Sequence, residues 1–102
     1  MNFIVTKETI RDLPEREQPL MVSLLDDLKD INKMSPLTFV ITYDSEGTKY
    51  YTMPYYRIAQ VDINSKEQPL TGETLGIEMS IEDLDMALCV LSNYTELVKA
   101  YE

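Results

Sequence analysis

Proton transfer in this chain would fall to carboxylates, tyrosine, lysine or the lone Cys89, because the sequence contains no histidine. Without histidine or a second cysteine there is also no basis for a His-based triad, a His/Cys metal site or an intrachain disulfide. Paired acids occur at Asp26/Asp27 and Glu82/Asp83. Both pairs fall in helical patterns, where adjacent side chains point about 100° apart and do not converge. A nuclease of the Asp…Asp/Glu-x-Lys kind needs its acids and lysine together at a strand end around Mg²⁺. The nearest match, Asp27-Leu28-Lys29, sits inside a helical pattern and reads as solvated surface. Cys89 lies in the apolar run Met86–Leu91, the setting of a thiol that packs rather than reacts. The glycines at 47, 72 and 76 are isolated, so there is no phosphate-cradling loop, and no aspartates stand at calcium-loop spacing. The expectation is a non-enzymatic chain with no catalytic residue, metal or cofactor.

Two patterns suit recognition instead. Nine Lys and Arg oppose eighteen Asp and Glu, a net charge of −9, and the imbalance is uneven along the chain. Between Lys66 and Lys99 lie Glu67, Glu73, Glu78, Glu82, Asp83, Asp85 and Glu96 without a single base. On a helical wheel Glu82, Asp85, Cys89, Ser92, Asn93 and Glu96 share a face opposite the leucine stripe, with Met86 at its margin. One-signed charge of this kind suits a basic partner; the plain alternative is a solubilising surface. The second pattern is aromatic. Five of the seven tyrosines, Tyr43, Tyr50, Tyr51, Tyr55 and Tyr56, cluster in one stretch. Adjacent tyrosines in a strand point to opposite faces, so some of these rings are expected at the surface, where tyrosine favours interfaces. Strand propensity alone is the rival explanation.

The elements that must position these residues follow from periodicity. Pro19 to Met34 reads as a helix, with Leu20, Met21, Leu24, Leu25, Leu28 and Ile31 on one face and a charge-balanced opposite face. It stops at Ser35, before Pro36. Leu37–Tyr43 alternates as a half-buried strand, Asp44–Gly47 supplies turn chemistry, and a return strand is expected from Thr48 to Met53. Pro54 implies an edge, a bulge or a break, with strand character resuming from Tyr55 to Ile63. Asn64–Thr74 reads as a loop and Leu75–Met79 as a short strand. Phe3–Thr6 suits another strand, and a helical turn follows before Pro14. Ser80-Ile81-Glu82-Asp83 resembles a capping box opening a helix over 81–100, about 30 Å long. Its apolar arc includes Ile81, Leu84, Leu88, Leu91, Tyr94 and Val98. Together these predict one α+β domain over residues 1–102, an antiparallel sheet of three to four strands with two helices on one face.

No leader segment or membrane span is legible, and an unpaired cysteine suits a reducing compartment, so the expected location is cytoplasmic. Negative charge argues against direct nucleic-acid binding. Duplex phosphates recur every ~1.7 Å, whereas Glu82, Asp85 and Glu96 are spaced by about 4.5 and about 16.5 Å along a helix, too sparse for literal DNA mimicry. The expected role is a non-catalytic inhibitor that blocks a basic nucleic-acid-binding protein, as phage or mobile-element inhibitors such as anti-CRISPRs do. The expected contact residues are Glu73, Glu78, Glu82, Asp85, Glu96, Tyr50, Tyr51, Tyr55 and Tyr56. An immunity protein or antitoxin, or an adaptor subunit that assembles through its tyrosine-rich edge, would share these traits.

Overall fold

The computed structural model describes residues 2–35, 38–46, 53–61 and 74–100. The order is β1 (Asn2–Ile4), two 3₁₀ turns (Ile10–Asp12 and Glu15–Glu17), α1 (Gln18–Met34), β2 (Thr38–Asp44), β3 (Tyr55–Val61), β4 (Thr74–Met79) and α2 (Ile81–Ala100). The strands form one antiparallel sheet in the order β1-β2-β3-β4. Both helices pack on one face of it, giving the expected α+β fold. No helix among the described residues is long and apolar enough to cross a membrane.

Local chemistry sets the helix ends. Gln18 donates from its side chain to the Leu13 carbonyl at 2.9 Å, tying the entry of α1 to the preceding turn. Ser35 leaves the helix in an extended conformation, as a residue before proline must. At α2, Ser80 Oγ accepts the Asp83 N–H at 3.3 Å and the Ser80 carbonyl accepts the Leu84 N–H at 2.9 Å. That is the Ser half of the anticipated capping box.

The core follows the predicted stripes except at Leu20, which is exposed at the start of α1. Met21, Leu24, Leu28 and Ile31 from α1 meet Ile81, Leu84 and Leu88 from α2 over Phe39, Ile41, Tyr43 and Tyr56 of the sheet. Leu91 is partly buried against this cluster. The side chain of Val98, another expected core residue, lies outside the described residues.

The hairpin differs from expectation. β2 is strand, but its ladder partner is the segment after Pro54, with Asp44 opposite Tyr55 and Thr38 opposite Val61. The alternating pattern after Gly47 pointed to Thr48–Met53 for that place. Pro54 immediately precedes the partner strand, which begins at Tyr55 as expected, so the ladder lacks no donor there. Residues 47–52, including the expected turn glycine, lie outside the described residues.

The free edge of β2 is closed by a side chain. β1 ends early, with the Val5 N–H donating to the Ile41 carbonyl at 2.8 Å. Two residues on, Asn32 of α1 takes over the strand's role. Its Nδ2 donates to the Phe39 carbonyl at 3.0 Å and its Oδ1 accepts the Phe39 N–H at 2.8 Å.

Candidate functional site

α2 sets out most of the acidic residues singled out in the sequence. Glu82, Asp83 and Asp85 are exposed on its first turns, near the helix's positive end. Asp85 also borders a groove of about 350 Å³ between the helices, which Asp27 and Asp30 of α1 line from the other side. The charges of α1, expected to be mixed and balanced, are therefore sorted. Asp27 and Asp30 turn toward α2, whereas Lys29 and Lys33 line a separate groove beside β1 and β2. No group of three acidic or cysteine ligands among the described residues could hold a metal. Cys89, read as inert packing, is exposed at the mouth of the interhelical groove.

Apolar side chains stand beside these acids. Met86, Val90 and Tyr94 are 68%, 68% and 62% exposed. At four-residue spacing they lie about 40° apart around the helix and form one stripe. The apolar spacing places Tyr94 in the core arc, but a helix on a single sheet buries only the side marked by Ile81, Leu84 and Leu88. The spacing of the second stripe is visible in the sequence. Which of two apolar arcs faces the sheet is a matter of tertiary packing.

The remaining expected residues divide. Glu78 is engaged internally in an ion pair with Arg57 of the neighbouring strand. A register irregularity places it there, since Met79 pairs with Tyr56 but Leu75 pairs with Ile58. A hydrogen bond from its own backbone and the Arg57 guanidinium hold the Glu78 carboxyl below the usual carboxylate range. Glu96 lies on α2 where its side chain is outside the described residues, and so are Glu73, Tyr50 and Tyr51 entirely.

Tyr55 and Tyr56 do point to opposite faces, but neither ring is exposed: they are 4% and 2% accessible. Tyr55 lies under the Arg57 guanidinium, whose carbon is 5.1 Å from the ring centroid, and its hydroxyl donates to Asp44 at 3.2 Å. Tyr56 packs on Tyr43 with ring centroids 4.8 Å apart, and its hydroxyl donates to Glu17 at 2.6 Å. Burial raises the Tyr56 pKa far above the usual phenol range, reinforced by the bond to Glu17 and by the Glu17 and Glu82 carboxylates. Burial likewise raises Tyr43, with Glu17 and Asp44 adding to it. Sequence reasoning missed Glu17 because nothing local links it to a strand 39 residues away.

The exposed surface of α2 thus combines carboxylates with an apolar stripe, while Tyr55 and Tyr56 support the sheet from within. Comparison of the chain with protein-family models, with curated proteins and with solved structures returns no match in any of the three.

Proposed function

We propose that the protein is a non-catalytic inhibitor that occupies the basic surface of a nucleic-acid-binding protein. The observation that carries this reading is the α2 surface, where Met86, Val90 and Tyr94 stand exposed beside Glu82, Asp83 and Asp85. Apolar anchors ringed by charge of one sign are the arrangement that binds and orients a complementary surface. Asp27 and Asp30 extend the negative charge across the interhelical groove. Carboxylates here would take the place of phosphates at a basic groove without copying their spacing.

The test is competition. Basic proteins captured from the source cell at low salt are loaded with labelled duplex DNA, and the inhibitor is titrated in. Wild type should displace the DNA, with association slowing as salt rises, because steering charges act on the encounter. The triple variant Glu82→Lys, Asp85→Lys, Glu96→Lys should fold but displace poorly. Equal displacement by the triple variant would reduce the acidic face to a solubilising surface. Failure of wild type to displace DNA would overturn the inhibitor reading.

A further inference from the structure

A cavity of about 300 Å³ opens where the Glu15–Glu17 turn, the adjoining ends of β2 and β3 and the start of α2 meet. Its walls include Glu17, Tyr43, Tyr56, Ser80 and Glu82. Two observations are independent of its acidity. The wall is aromatic, with Tyr43 and Tyr56 packed ring against ring. Tyr43, only 4% exposed as a residue, also lines this cavity, and its hydroxyl makes no hydrogen bond among the described residues. That hydroxyl is not sealed inside the protein, so its oxygen stays open to accept from a group that enters the cavity.

The sign of that partner follows from the surroundings. Glu17 accepts the Tyr56 hydroxyl through Oε1, while the ion-pair partner of its Oε2 among the described residues is Arg16, with Nε at 3.8 Å, which also borders the cavity but on a side chain 88% exposed. Glu82 adds a second carboxylate at the rim. Both carboxylates help to raise the Tyr56 pKa, the mark of a negative potential inside the cavity. An anion would be repelled.

We infer that the cavity receives a guanidinium group, the side chain of an arginine presented by the basic partner. A guanidinium is planar and weakly hydrated, lies against aromatic rings and offers several donors in a fixed fork. Glu17 Oε2, the Tyr43 hydroxyl oxygen and the Glu82 carboxylate can accept from it. This deepens the proposed function, since it names the group by which that site would hold a basic partner, and it rests on that reading for the source of the arginine.

The probe is N-acetyl-arginine-N-methylamide, titrated into the full chain while the tyrosine ring signals are followed by NMR. The matching citrulline compound, neutral and nearly isosteric, is the control. Saturable shifts of the Tyr43 and Tyr56 rings are expected for arginine, with a Kd of about 1 mM to about 10 mM, and none for citrulline. Tyr43→Phe should weaken binding about tenfold while leaving the unfolding midpoint in place, because the hydroxyl it removes has no partner among the described residues. Glu17→Gln should weaken it similarly. Equal shifts with citrulline, or undiminished binding by Tyr43→Phe, would overturn the proposal. The probe engages only the cavity. A failed titration beside intact DNA displacement would therefore sink the cavity alone, and the converse would sink the inhibitor reading alone.

Discussion

Tyr56 shows how one side chain couples the termini of several elements and makes stability depend on pH. Its ring seals the core against Tyr43, and its hydroxyl ties β3 to Glu17 at the mouth of α1. Tyr43, Tyr55 and Tyr56 all have pKa values raised first of all by burial. An unfolded chain ionises its tyrosines near pH 10, whereas these folded phenols hold their protons to higher pH. Folding is then favoured in full below about pH 10 and progressively less as pH rises beyond it, because the unfolded state releases protons first. Urea unfolding between about pH 8 and about pH 11 should show that decline. Tyr56→Phe should flatten the decline and, at neutral pH, cost about 1.5–3 kcal/mol for a hydrogen bond to a charged group. An unchanged alkaline slope in the variant would mean that Tyr56 is not the group responsible. The tyrosine cluster was legible as a cluster. Its burial was not, since alternation assigns rings to faces without saying that both faces are covered at Tyr55 and Tyr56.

Helices were the elements most legible in the sequence. Pro19, the Ser35-Pro36 stop and the Ser80 cap mark ends by local sterics and hydrogen bonding, and the observed α1 and α2 fall within a residue of expectation. Strand pairing depends on long-range competition, and there local signals misled. The turn residues after Asp44 favoured an immediate return, but β2 pairs with Tyr55–Val61. Arg57 and Glu78 then fall on adjacent strands and neutralise each other, which removed one acid from the expected contact set. Asn32 illustrates the same limit, because nothing in its local sequence pairs a helical amide with a strand. In the fold it closes the edge of β2 by matching both backbone groups of Phe39. Asn32→Ala would leave those groups unmatched, at a cost of about 1–3 kcal/mol measured by denaturant unfolding. The opened edge should also make the variant self-associate at high protein concentration, seen by sedimentation. A loss below about 0.5 kcal/mol with no association would show that solvent replaces the amide without penalty.

Across the whole molecule, charge and apolar exposure converge on one side of α2. A net charge of −9 sets the long-range field, and the acids of α2 and α1 around the interhelical groove give it direction. That asymmetry was legible in the sequence as a base-free stretch. The apolar stripe was legible as a spacing but not as exposed, because Tyr94 lies about 120° around the helix from Leu88 and tertiary packing decides which of the two arcs faces the sheet. The two components should act on different steps of binding. Charge accelerates encounter, whereas desolvated side chains hold the complex together. Met86→Ser with Val90→Ser should therefore leave the association rate and its salt dependence near wild type while raising the dissociation rate by about tenfold or more. Neither side chain supports the core, as both are 68% exposed, so the unfolding midpoint should not fall. Surface plasmon resonance against the captured basic protein, at two salt concentrations, separates the outcomes. A variant that dissociates like wild type would remove the stripe from the interface and leave binding to the carboxylates alone. In that case affinity should vanish at high salt, because exposed charges more than about 10 Å apart are largely screened at 0.1 M ionic strength.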